Sequence, residues 1–488
     1  MYIGSQQLMK EYDQALLDSG YSIIELVNEA SNCLLKHFRN LNHVCLVCGT
    51  GNNGADGYSL AEKLFILGKD VYVVVVGNVE KFSEAANYYY ERLAKRGVPH
   101  DLINEDNFTK VIAKMATYYV IGDAMFGFGL NGTPRGIYGA IIKEINNFND
   151  KEVIAIDIPT GLDCNSGKPY ESVIKADKTI SLTAFKNGFL NPDSQEYTGE
   201  VFVEKLDCKD FSEEVGLFKL IELDDVKKII KERKFDGHKG DYGRVLSITG
   251  CSRYKGAALL NTKASVYCGS GVVTLMSDQD VNNALAIACP EATSLVRGES
   301  LLKEDLEKYQ SILIGCGLGL ENEKYLFDVL NNSDQPLVID ADGLTMLSNH
   351  MGLLENNERT IVLTPHMGEM NRLEEIDHQD LLKYVNNFAK RYNVILVLKG
   401  PYTMISDGKH SYRIHSGNKA MSVGGMGDTL AGMINSFLGQ GYEPIEAVIL
   451  AVYLHGYIGD DLAQDHYSVI PSELIELIPS AMNKLLKS

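Results

Sequence analysis

Short apolar runs rich in β-branched residues alternate with amphipathic, helix-like stretches along the whole chain. His43–Cys48, Val71–Val76, Tyr118–Ile121 and Val153–Ile158 predict buried strands in the first half. Val245–Ile248, Ile312–Ile314, Leu337–Ile339, Ile361–Leu363 and Val394–Leu398 predict them in the second. Uninterrupted apolar strands separated by helical patterns imply mainly parallel sheets covered on both faces, so the class is α/β. About nine such strands would make a single sheet unusually wide.

The alternation breaks once. A strand-like Gly199–Val203 leads into the charged stretch Asp207–Val226, then into the basic-rich Lys227–Lys234. A fresh α/β pattern opens at His238–Arg244. We place the boundary near residue 218, which gives two three-layer domains, 1–217 and 218–488.

The length of 488 residues is in keeping with more than one domain. Lys and Arg number 46 against 65 Asp and Glu, a net charge of −19, so nucleic acid gains no bulk electrostatic attraction. No apolar stretch reaches the roughly 18 residues of a membrane span, and the first residues lack a basic segment followed by an apolar one. Nine cysteines are scattered without a framework, and Cys45 and Cys48 lie within a predicted buried strand. They read as reduced core thiols of a cytoplasmic protein.

Candidate chemistry sits at predicted strand ends. The first strand runs into Gly49-Thr50-Gly51-Asn52-Asn53-Gly54-Ala55-Asp56-Gly57, with a helical pattern expected from Tyr58. Glycines there admit close backbone approach, and the free N–H groups of a helix start suit a phosphate. Asp56 is either a ligand group or a helix N-cap. Two further loops follow, Gly122–Thr133 and Asp157–Asp163, at the edge where open α/β sheets bind ligands. Asn53, Asp123 and Thr160 could supply hard oxygen ligands to a cation or simply cap their loops.

Gly49–Gly57, Asp123, Gly127–Thr133 and Asp157–Thr160, in this order over about residues 1–210, resemble the NAD(P)H-hydrate epimerase family, whose fold is Rossmann-like. The resemblance implies that Asn52, Asn53, Gly54, Ala55 and Asp56 contact the hydrated nucleotide. It implies the same of Gly127, Phe128, Gly129, Leu130, Asn131, Gly132, Thr133 and Asp157, and that Asn53, Asp123 and Thr160 bind K+. Ala55 stands where the family usually has Gly, and Thr160 replaces the usual Ser. The hydrate carries a C6 hydroxyl beside the ring nitrogen, so inversion needs reversible C–O or C–N cleavage with proton transfer. Asp157 is the first choice for that role. Lys186 is the second, with an ordinary surface lysine as its alternative.

The second half carries Ser422-Val423-Gly424-Gly425-Met426-Gly427-Asp428-Thr429. Glycines before a helix make an anion hole of N–H groups, with the Asp428 carboxylate beside it as a base or as an N-cap. Phosphoryl transfer to a hydroxyl needs such a pair. Around it stand Arg253–Ala258, Ile314–Gly319, Leu337–Leu344 with Asp340 and Asp342, Leu363–Glu369 with His366, and Leu398–Thr403. In this order, over about 225–488, they resemble the ribokinase-like superfamily and its NAD(P)H-hydrate dehydratase branch. That likeness implies hydrate contacts at Ala257, Gly317, Gly319, His366 and Asp428. It implies nucleotide contacts at Lys399, Gly400, Pro401, Tyr402, Thr403 and Gly427, with Asp428 catalytic. ADP or ATP would be the co-substrate and Mg2+ would bridge its phosphates, with Glu369 a candidate ligand.

The reading that follows is a bifunctional repair enzyme for hydrated NADH and NADPH (NADHX and NADPHX). It would epimerise the R and S forms and dehydrate the S form at the expense of ADP or ATP, as a homo-oligomer with neither nucleic acid nor membrane as partner. The alternatives are a ribokinase-like vitamin-precursor kinase with a nucleotide-sensing front half, and a non-enzymatic scaffold on an epimerase-like fold. The acidic balance and the presence of Asp123 and Asp157 argue against the scaffold.

Overall fold

The computed structural model describes residues 1–355, 358–378 and 380–487. The chain divides into two compact units, Met1–Leu217 and Phe218–Ser488.

The first unit is built on a seven-stranded parallel sheet. Its spatial order is His100–Ile103, Val71–Val76, Val44–Cys48, Val120–Ala124, Glu152–Ile156, Lys178–Leu182 and Glu200–Glu204. Alternate residues of one strand feed different cores. Val44, Leu46 and Cys48 pack with Tyr58, Leu60 and Leu64 on one face, while Cys45 and Val47 pack with Ile121, Ile141 and Ile145 on the other. Two-faced burial explains why the strand sequences read as unbroken apolar runs. The first strand lies between Val71–Val76 and Val120–Ala124, so the chain reverses direction of winding there and leaves a crevice at the carboxyl ends. Separately, Tyr2–Gly4 pairs in parallel with Phe185–Lys186.

Ten strands of the second unit follow one another in a sheet. They run Thr293–Val296, Val272–Ser277, Arg244–Ile248, Ser311–Ile314, Leu337–Ile339, Ile361–Leu363, Ile395–Leu398, Thr403–Ser406, Ser411–Ile414 and Phe218–Ile221. The pairs on either side of Thr403–Ser406 are antiparallel and the others parallel. A core led by the helices Met426–Gly439 and Pro444–Leu462 packs on it.

Several expectations need correction. The helix after the first strand is Asn52–Ile66, starting six residues before Tyr58. The Asn-Asn-Gly-Ala-Asp-Gly run has poor helix propensity, but packing overrides it. A Cβ on Gly54 would lie 2.1 Å from the Gly49 carbonyl oxygen and one on Gly57 would lie 2.5 Å from Cys48 Sγ, so this turn nests directly on the strand end. Asp56 is therefore inside the helix, and Gly51 is the N-cap. The charged stretch 207–226 is also structured. It holds the strand Phe218–Ile221, which pairs with Ser411–Ile414, and most of the helix Leu223–Ile229.

Candidate active sites

A cavity of about 610 Å³ opens at the crevice of the first sheet. Asn52, Asn53, Asp56, Gly127, Phe128, Gly129, Leu130, Asn131 and Asp157 line it. Gly54 and Ala55 do not. Gly54 faces the strand end and Ala55 is buried in the core. Gly132 and Thr133 also lie outside the lining.

Asp157 follows the strand Glu152–Ile156 with a φ of 68°, a left-handed conformation that is strained for a non-glycine residue. Its N–H donates to Ile180 O at 2.8 Å. Oδ1 lies 2.6 Å from Lys186 Nζ and accepts from Leu182 N–H, and Oδ2 accepts from Phe128 N–H. Lys186 is fully buried, which removes its reading as a surface lysine. Its ammonium also donates to Ser181 Oγ, Leu182 O and Ala184 O. A buried ammonium held by carbonyls and one carboxylate is a fixed charge, set to keep that carboxylate in place.

Asp56 adds a second acid. Burial, then the charges of Asp157 and Asp13, push its carboxyl well above the usual range. Asp123 is fully buried and is not among the residues lining the cavity. It accepts from Thr160 N–H and Oγ1–H, both at 2.8 Å, and from Met125 N–H. Burial raises its carboxyl to about 6 against the opposing Thr160 bonds. Both polar atoms of the Asn53 side chain are buried without a hydrogen-bond partner. Native interiors rarely leave an amide unpartnered, and Asn53 Oδ1, the Asp123 carboxylate and the Thr160 hydroxyl are hard oxygen donors of the kind a hard cation takes.

Sequence reasoning missed the outer wall of this cavity. The helices Gln6–Asp18 and Ile23–Phe38 contribute Met9, Asp13, Leu16, Ile23, Leu26 and Val27. Gln6 Nε2 donates to Phe128 O at 2.8 Å and so holds the glycine loop. The available signal was an acidic residue, Asp13, at helical spacing from Met9 and Leu16.

In the second unit, the helix Met426–Gly439 begins after Gly425, whose φ of 94° suits glycine. Asp428 sits at its third position, so it is not the N-cap, and its carboxyl faces Cys316 and Asp340. Burial, then Asp340, raises Asp428 to about 6. One side-chain atom each of Cys316, Asp340 and Asp428 lie within 4.8 Å of one another. Asp340 is committed elsewhere, to Lys399 Nζ at 2.8 Å and Thr364 Oγ1 at 2.8 Å. Burial pulls the Lys399 ammonium down, but Asp340 and Glu369 outweigh it and hold the charge above its ordinary range.

Gly427 adjoins this pair: a Cβ there would lie 3.2 Å from Lys399 Nζ. Gly317 and Ala257 are neighbours, with 2.9 Å between an added Cβ and the Ala257 methyl. Gly319 N–H donates to Asp342. His366 caps the helix Met367–Leu373, and Glu369 Oε2 accepts its N–H at 2.9 Å. Glu369 Oε2 thus serves the cap and faces Lys399 Nζ, 3.9 Å away. Gly400, Pro401 and Tyr402 form the exposed to half-buried turn between two antiparallel strands, while Lys399 turns inward. His455, also unforeseen, has a buried and unpartnered Nε2, and desolvation followed by Lys399 pushes it down to about 4.

Comparison with known proteins matches residues 245–480 to the NAD(P)H-hydrate dehydratase family and residues 21–188 to the YjeF-related protein N-terminus family. The chain is 31% identical over 462 residues to the bifunctional NAD(P)H-hydrate repair enzyme of Thermofilum pendens, covering 90% of this chain and 87% of that one. It is 39% identical over 262 residues to the ADP-dependent (S)-NAD(P)H-hydrate dehydratase of Staphylococcus aureus, covering 52% of this chain and 94% of that one. A crystal structure of the ADP/ATP-dependent NAD(P)H-hydrate dehydratase from Bacillus subtilis, co-crystallised with ATP and Mg2+, is similar at a TM-score of 0.50 and 28% identity. It covers 55% of this chain and 99% of that one.

Proposed function

The chain belongs to the bifunctional NAD(P)H-hydrate repair enzyme family, and from that membership we propose how its residues divide the two reactions. The enzyme interconverts the R and S hydrates of NADH and NADPH and dehydrates the S form with ADP or ATP. We assign epimerisation to unit 1–217 and dehydration to unit 218–488, with ADP as the phosphoryl donor. The kinase-with-sensor reading gives way, because a relative named as a repair enzyme aligns over 90% of the chain.

In the first cavity, Asp157 is the base. Its strained backbone and the Lys186 ammonium fix the carboxylate toward the hydrated ring, and Phe128 N–H braces the other oxygen. Asn53, Asp123 and Thr160 would hold K+, which would supply positive charge to the site.

In the second unit, Asp428 takes the proton of the C6 hydroxyl while that oxygen attacks the terminal phosphorus of ADP. AMP departs, and backbone N–H groups at the start of Met426–Gly439 meet the charge of the transferred phosphoryl group. The ring nitrogen's lone pair then expels phosphate from C6, and loss of the C5 proton restores the dihydropyridine. Lys399 stays locked on Asp340 and offers its charge to the phosphates. The placement of Asp428 carries this reading: third in the helix, uncapped, raised to about 6, and beside Gly427. The test is to incubate the enzyme with separated S hydrate and ADP. NADH absorbance should return with one AMP and one phosphate per turnover. A stable phosphorylated nucleotide in their place would contradict it.

A further inference from the structure

We propose that Asp13 is the second proton-transfer residue of the N-terminal cavity, the acid that works opposite the base Asp157 when the C6 hydroxyl is exchanged. This rests on the assignment of epimerisation to that cavity.

The placement of Asp13 is built in. Gly4 pairs with Lys186 in the register of Tyr2–Gly4 on Phe185–Lys186, and Ser5 caps the helix that follows. Gln6 ties the same helix to the glycine loop. Met9, Asp13 and Leu16 then fall on one helical face, and all three line the cavity with Asp56 and Asp157. A carboxyl on an apolar face is costly for folding unless partnered. The influences on Asp13 are burial, then the charge of Asp157, with Lys186 opposing, and no hydrogen bond is among them. Together they raise it to about 7. The charged groups facing it come from three other elements: Asp157 after Glu152–Ile156, Lys186 on Phe185–Lys186, and Asp56 on Asn52–Ile66.

Two carboxyls in one cavity with opposite surroundings divide acid from base. Asp157 has an ammonium at 2.6 Å, while Asp13 has none and holds its proton near neutrality. Burial, then the charges of Asp157 and Asp13, push Asp56 up as well. The step balances with water alone. Asp13 gives its proton to the C6 hydroxyl oxygen, the C6–O pair leaves on water, and the ring nitrogen's lone pair forms the iminium. Water adds to the other face of C6 and Asp157 takes its proton. Solvent then returns that proton to Asp13.

The test follows R–S interconversion of hydrated NADH by chromatography, with full-length enzyme and no ADP or ATP. Asp13→Asn should lower the saturated rate about 10²–10⁴-fold with half-saturation little changed. Asp13→Glu should recover part of it. The wild-type rate should fall above about pH 7, and this alkaline limb should be missing in Asp13→Asn. Wild-type rates in Asp13→Asn, with Asp157→Asn inactive, would overturn the proposal and leave the cavity's assignment standing. Wild-type rates in both would remove the assignment as well. Loss of hydrate binding with a lowered melting temperature, unrescued by Glu, would make Asp13 structural and also overturn it.

Discussion

Lys186 Nζ lies 2.6 Å from Asp157 Oδ1, and both side chains are buried at the end of the first unit's sheet. The pair is worth most as a pair. Removing the ammonium strands a buried carboxylate beside Asp56 and Asp13, while removing both charges relieves that cost. Lys186→Met should therefore destabilise the unit by about 3–5 kcal/mol in urea unfolding. Lys186→Met/Asp157→Asn should regain most of that stability and none of the epimerisation. Equal stability of single and double variants would refute the coupling.

Two glycines at one turn should behave differently. A Cβ on Gly54 meets the Gly49 carbonyl at 2.1 Å, backbone that has nowhere to go, whereas one on Gly51 meets nothing within 4 Å. Gly54→Ala should lower the melting temperature of the first unit sharply. Gly51→Ala should melt as the wild type does, and a matching drop in both would discount the nested turn.

The cation site rests on Asn53, whose buried amide has no hydrogen-bond partner in the protein. Asp123→Asn keeps shape but loses charge, so the potassium concentration for half-maximal epimerisation should rise about 10–100-fold, as for weakened metal sites generally. A potassium titration that superimposes on the wild type would count against the cage.

Much of this was legible in the chain because buried parallel strands leave unbroken apolar runs, as Val71–Val76 does. The strand Phe218–Ile221 was not, since Lys219 and the acidic residues after it mask a short apolar segment whose partner lies nearly 200 residues on. The surface alternative for Lys186 fails for a related reason. A lysine flanked by Phe185 and Asn187 looks exposed until the fold sets it against Asp157. Asp13 carried a faint helical-spacing signal, but its meaning depends on residues from three other elements.

The pH response of dehydration follows from Asp428. Burial, then Asp340, raises it to about 6 from an ordinary 3.8, so the folded protein binds this proton more tightly than the unfolded chain. The base is lost as pH falls through about 6, and the rate should drop about tenfold per unit below that. The same sign makes the ionised carboxylate a cost to folding above pH 6. Asp428→Asn should thus melt no lower than the wild type at pH 8, and a clearly lower melting point would assign the residue a structural role.

The division of labour is tested most directly by NADH recovery from an equilibrium mixture of R and S hydrates with excess ADP, followed by absorbance in three full-length proteins. The wild type should restore all the NADH. Asp157→Asn should restore a rapid burst equal to the S fraction and then only drift at the uncatalysed epimerisation rate. Asp428→Asn should restore almost none over the same time, a loss of about 10²–10⁴-fold, while still interconverting R and S. Complete recovery by Asp157→Asn at the wild-type rate, or near-normal recovery by Asp428→Asn, would contradict the account.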